Sequence, residues 1–171
     1  MLDNINPDVP SSSLWKNVSS SVYPIALATP FSMLAVGYIQ KDKKLQQKGW
    51  DVVGAVFINT VITQGLKYSI NRARPYEKYP AFVHPHDIES DASFPSGHTS
   101  TAFATATSLS INFKKWYVVV PAYAYAASVG YSRLYLGEHY PTDVFAGALV
   151  GAGSAYLGHW LNKKMFVKKK K

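Results

Sequence analysis

Residues 92–113 read ASFPSGHTSTAFATATSLSINF and contain no Asp, Glu, Lys or Arg. The stretch lacks the period-two alternation of a strand, and its length suits a helix. Ser96 is a good N-cap residue, so Gly97-His98 is expected to open that helix. From Thr99 to Leu109 it is rich in Ala, Thr and Ser, side chains small enough to let another helix approach closely.

Four further stretches are equally free of charge: 17–40, 52–66, 116–132 and 144–162. Read as helices, the five run over about 18–39 (with Pro24 and Pro30 inside), 50–66, from Ser96, 116–131 and 141–161. Lys41-Asp42-Lys43-Lys44 stops the first, and 41–48 is read as a loop. Gly147 and Gly151 form a GxxxG pair on the last, which reads as tight packing. The expected fold is all-α, a helical bundle of five main helices without repeats. It divides into a polar N-terminal segment (1–16), a single helical domain (17–162) and a basic tail (163–171).

The chain of 171 residues is long enough for one domain. It has no cysteine, which excludes a disulfide scaffold, a thiolate zinc site and a cysteine nucleophile. Its net charge is +8, yet charged residues are only 16% of the chain, against roughly 25% in ordinary soluble proteins. The basic residues sit between helices, not along them, which argues against a nucleic-acid partner.

They are also lopsided. With five helices alternating in direction, one end collects 12 of the 18 Lys and Arg and a net +10, while the other carries −2. Such asymmetry is what the positive-inside rule produces in a membrane protein, and all four Trp (15, 50, 116, 160) fall at segment ends, as an interfacial belt requires. The reading is a bundle embedded in the cell membrane. A mean hydropathy of −0.06 is low for that, and the alternative is a soluble bundle whose loops are basic on one side.

Three clusters fall at the less basic end. They are Lys67 with Arg74-Pro75; Pro95-Ser96-Gly97-His98; and Ser132-Arg133 with His139 and Asp143. Two arginines and a lysine suit a phosphate, the Arg as a bidentate fork and the Lys as a point charge. Ser96 and Gly97 bring backbone N–H groups at a helix start to the same anion. Asp143, four residues after His139, can accept the Nδ1–H and leave Nε2 free as a nucleophile. His98 can give a proton to the leaving oxygen. A zinc site on His98, His139 and Asp143 is disfavoured, because three cations would repel the ion. His84 and His86 with Asp87 read as a solvated loop, and Glu138 is given no role.

Together the three clusters, in order and at these spacings, resemble the signature of the type 2 phosphatidic acid phosphatase superfamily, which includes lipid phosphate phosphatases, bacterial acid phosphatases and vanadium haloperoxidases. The resemblance covers residues 67–143. It implies a phosphatase without metal or other cofactor, working through a phosphohistidine. His139 would be the nucleophile, Asp143 its orienting group and His98 the general acid. Lys67, Arg74, Ser96, Gly97 and Arg133 would bind phosphate. The substrate would be a lipid phosphate or isoprenoid pyrophosphate among membrane lipids, with the site on the extracytoplasmic side. The alternatives are a soluble periplasmic acid phosphatase, a haloperoxidase and a non-catalytic membrane protein. Membrane members usually have six spans; five are read here, and the expectation is a missing N-terminal segment.

Overall fold

A computed structural model describes residues 5–7 and 12–167. Among them all regular secondary structure is helical: α1 (Ser13–Ser20), α2 (Val22–Ile39), α3 (Lys43–Ile70), α4 (Pro75–Lys78), α5 (Gly97–Phe113), α6 (Trp116–Tyr135) and α7 (Pro141–Val167). The expected five are the long ones, and the count is corrected to seven by the short α1 and α4. Two boundaries differ for local reasons. Asp42 Oδ1 accepts from the N–H groups of Lys44 (2.9 Å) and Leu45 (3.2 Å), so the charged run read as a stop and loop is the capped start of α3. The first expected helix is broken at Ser21, whose hydroxyl bonds Val18 O (2.9 Å) and the Tyr125 hydroxyl (2.7 Å). The basic tail is helical as far as Val167, and Lys168–Lys171 lie outside the described residues.

The bundle is inside-out compared with a soluble one. α5 sits between α3, α6 and α7. Its buried residues run from Thr99 to Thr101 with Ala102 and from Ala104 to Ser108, and hydroxyls pair across the helix contacts: Thr63 with Ser100 (3.1 Å) and Thr107 with Tyr123 (2.9 Å). Phe31, Ile39, Phe57, Trp116 and Phe145 are exposed. Small and hydroxylated residues inside with large apolar residues outside is the pattern of helices packed in lipid. Two helices, Val22–Ile39 and Pro141–Lys164, are long and apolar enough to cross a membrane.

One seam sets the position of the site. A Cβ on Gly151 would lie 2.1 Å from Ser100 O, and one on Gly147 2.7 Å from Ser96 O. The glycine pair therefore lets α7 touch the backbone of the first turns of α5. Ser96 N–H donating to Asp143 O (3.1 Å) ties the two helix starts together.

Candidate active site

The three clusters converge at one end of the bundle. A Cβ added to Gly97 would lie 3.9 Å from Lys67 Cε, which places the end of α3 beside the start of α5. Arg74, the residue before α4, donates from Nη1 to Glu138 O (3.1 Å) in the α6–α7 link. That link turns at Gly137, where φ is +72° and a Cβ would sit 2.6 Å from His84 O; glycine alone fits there.

Lys67, Arg74 and Arg133 are all buried, and none is unpaired. Lys67 Nζ donates to Ala92 O and lies 3.0 Å from Asp91 Oδ2. Arg74 pairs with the other Asp91 oxygen through Nη2, which also meets Glu89 Oε2 at 3.1 Å. Arg133 Nη2 donates to Glu89 Oε1 (2.5 Å) and to Glu138, and its Nη1 to Ser19 Oγ (2.6 Å). The cations thus form one chain, Lys67–Asp91–Arg74–Glu89–Arg133, bridged by two carboxylates of one loop. Arg133 Nε is buried without a partner.

Burial raises the Asp91 carboxyl, but the hydrogen bonds and charges of Lys67 and Arg74 outweigh it and hold the pKa below the usual range. Glu89 and Glu138 meet at the same guanidinium. Burial pushes Glu138 up to about 8, against the pull of Arg133. Burial acts upward on Glu89 too. The hydrogen bond with Glu138 and the charges of Arg133 and Arg74 nonetheless keep Glu89 the ionised member.

His139 is completely enclosed, and burial lowers its pKa to about 4; Asp143 acts upward, while Arg133, Arg74 and Lys67 add to the lowering. Its Nδ1 stands 3.6 Å from Asp143 Oδ2 and has no hydrogen bond, so the expected Nδ1–H to Asp143 bond is corrected to a near approach. Asp143 itself is fixed by donors that sequence reasoning missed: Ser93 Oγ, Tyr140 N–H (3.0 Å) and Arg72 Nη1 (2.6 Å), with the Arg72 guanidinium 3.9 Å from the Tyr140 ring centroid.

His98 is partly exposed, its ring 4.8 Å from that of Tyr23. Ser96 is fully buried; its hydroxyl lies 2.9 Å from Thr99 Oγ1 and accepts weakly from Thr99 N–H (3.4 Å). Among the described residues the N–H groups of Gly97 and His98 have no partner. Glu138, read as having no role, lies on Arg133. The only sequence signal for Glu89 and Asp91 is a cluster of acids at 87–91 in an acid-poor chain.

A model of the PAP2 superfamily matches residues 48–166. The chain belongs to the PAP2 superfamily. It is 32% identical over 151 residues to the lipid A 1-phosphatase of Porphyromonas gingivalis, covering 83% of this chain and 30% of that protein. It is 32% identical over 119 residues to the undecaprenyl-diphosphatase of Sulfolobus acidocaldarius, covering 67% of this chain and 55% of that one. The chain thus spans about half the length, or less, of these relatives. The crystal structure of Aquifex aeolicus LpxE superposes with a TM-score of 0.63 at 27% identity, covering 92% of this chain and 89% of that one. This PAP2 chain is all-helical and of the membrane type.

Proposed function

We propose that this PAP2 protein is a phosphatase that hydrolyses a lipid phosphate or isoprenoid pyrophosphate through a phosphohistidine, without metal. One observation carries the reading: three buried cations from three elements converge beside a neutral, enclosed imidazole. Phosphoryl transfer needs charge neutralisation, positioning, a nucleophile and an acid. Lys67, Arg74 and Arg133 neutralise the phosphate, and the free N–H groups of Gly97 and His98, held by the Ser96 cap, face it. His139 Nε2 attacks phosphorus, the ester P–O bond breaks, and the leaving oxygen takes the proton of His98. Asp143 supports the charge that develops on His139. Water then attacks the phosphohistidine, giving its proton to His98, and inorganic phosphate and neutral His139 are restored.

The test is a phosphate-release screen on purified protein over phosphatidic acid, isoprenoid pyrophosphates, lipid A phosphates and soluble esters, run with excess chelator. Release that persists with chelator is expected. Loss restored by zinc or magnesium would overturn the mechanism.

The lowered His139 pKa sets a pH dependence. The ring must be neutral to attack, so kcat/KM should hold down to about pH 4 and fall below it, not near 6.5. Burial, with the charge of Arg133, lowers His98 as well, to about 3, so the proton it donates has to be taken up in the substrate complex, where the anion offsets Arg133, and the alkaline fall should appear in kcat. The profile should be measured from pH 3.5 to 9 and corrected for the substrate's own ionisation near ~6. An acid limb at about 6.5 would show that His139 is solvated during turnover.

The site should face away from the cytoplasm, because the opposite end carries the basic excess. The chain lacks cysteine, and Ser90 and Lys43 are exposed at opposite ends. Ser90→Cys should react with an impermeant maleimide on intact cells, and Lys43→Cys only after lysis. The reverse pattern would sink this orientation.

A further inference from the structure

At the opposite, basic end of the bundle a groove runs between α3 and α7. It holds about 440 Å³, within the roughly 300–1,000 Å³ of ordinary ligand sites. Trp50, Gly54, Phe57 and Ile58 of α3 and Gly158 and Asn162 of α7 are on its wall, and Trp50 and Phe57 are exposed. A Cβ on Gly158 would lie 3.0 Å from Ala55 N, so the two helices touch behind the groove. One on Gly54 would meet nothing within 4 Å, so the space in front is open. From Trp50 to Ile58 the wall runs about 12 Å along the helix axis. It is an apolar slot on the outside of a membrane protein, where acyl chains are the neighbours.

The charge at its mouth indicates which lipid. Positions 43, 47, 50, 54 and 58 share one side of α3, so Lys43 stands beyond Trp50 at the basic end of the groove. Lys164, one turn after Leu161 of the facing wall, flanks it on α7. Trp50 and Trp160 place both lysines at the depth of headgroups. Lys43 Nζ meets the neutral Gln46 Oε1 (3.5 Å), and Lys164 Nζ lies 3.8 Å from the centre of the Trp160 ring. Among the described residues no carboxylate pairs with either. The acids of this part of the chain are Asp42 and Asp51, and both are engaged. Asp42 Oδ1 accepts two N–H groups at the start of α3, and buried Asp51 meets His159 Nδ1 (2.9 Å) and the amide of Asn162. Against them stand Lys43, Lys44, Lys163 and Lys164, so the mouth stays positive.

We propose that this groove is a binding site for an anionic phospholipid of the leaflet at the basic end. One acyl chain lies in the groove beside Gly54, and the headgroup phosphate sits between Lys43 and Lys164. The site is separate from the catalytic cluster, and the proposal does not depend on the phosphatase reading. A zwitterionic lipid fits its chain equally well but brings a headgroup cation that opposes the lysines. Preference therefore follows headgroup charge, and affinity follows the open groove.

The full chain in neutral detergent, with excess inorganic phosphate to occupy the catalytic site, can be titrated with phosphatidylglycerol and with phosphatidylcholine. Binding is read from native mass spectra and thermal shifts. Phosphatidylglycerol should bind about fivefold tighter or better. Gly54→Leu grows into open space, so it should fold and weaken that binding by about tenfold, while the smaller Gly54→Ala should change it by less than about twofold. Lys43→Gln with Lys164→Gln should bring the two lipids within about twofold of each other. Lys114→Gln with Lys115→Gln removes the same charge at the same end, away from the groove, and should leave the preference intact. Binding insensitive to Gly54→Leu, or equal loss from both lysine pairs, would show general attraction to a basic surface and overturn the site. A change of oligomeric state in Gly54→Leu would give the groove to a second copy of the chain and overturn it as well.

Discussion

His139→Ala should lose phosphate release by about four to six orders of magnitude, the scale on which removing a nucleophile acts. Nothing nearby can replace it. His139 is enclosed, and the other imidazole of the site, His98, is the proposed proton donor. The cavity left by the buried ring lowers the melting temperature, but its Nδ1 has no hydrogen bond to lose, so no polar partner is left unpaired. The variant should therefore fold, bind phosphate and fail to turn over. Asp143→Asn should hurt less, because the imidazole stays while its support weakens. Near-normal release by folded His139→Ala would end the phosphohistidine mechanism.

Arg74→Ala is expected to act on activity and fold together. Arg74 is 1% exposed, and it donates to Asp91 O (2.9 Å), Glu138 O (3.1 Å) and the carboxylates of Glu89 and Asp91. Breaking a buried pair from one side typically costs about 3–5 kcal/mol. Losing an anion-binding donor costs about two to three orders of magnitude in rate. Arg74→Lys keeps the charge but not the three separate nitrogens that reach Asp91 O, Glu138 O and the carboxylates, so it should recover part of the melting temperature and little of kcat/KM. Equal recovery of both would mean that charge alone matters at this position.

The helix starts were legible because their causes are local. Ser96, Gly97 and His98 announce a capped helix in consecutive residues, and strict alternation of long helices is enough to gather Lys67, Arg133 and His139 at one end. Asp42 misled for an equally local reason, since a carboxylate among lysines reads as a solvated break while its geometry is that of a cap. The long loop could not be read. It is fixed by distant partners: Ser93 N–H to Arg72 O (2.8 Å), His86 N–H to Leu136 O (3.1 Å) and Glu89 N–H to the Tyr76 hydroxyl (3.1 Å). No periodicity encodes such bonds, so Ser93 holding Asp143 and Glu89 joining two arginines were invisible. The low mean hydropathy has its explanation in the interior. Ser, Thr and Asn fill the helix contacts of this bundle, so averaging over the chain hides an apolar exterior.

The chain of cations bridged by Glu89 and Asp91 means that the site's own charges are already electrically satisfied. Under the proposed function, an arriving phosphate would not fall into a bare positive well; it would trade places with tethered counter-ions. Its net gain is the difference between two sets of similar contacts, which disfavours any anion that cannot span several donors at once. A halide offers one point of charge and has little with which to displace two carboxylates. A phosphate dianion has oxygens enough to answer both arginines and the lysine together. Under the same proposal the loop's own acids would return when product leaves, so the exchange that screens entry would also help release.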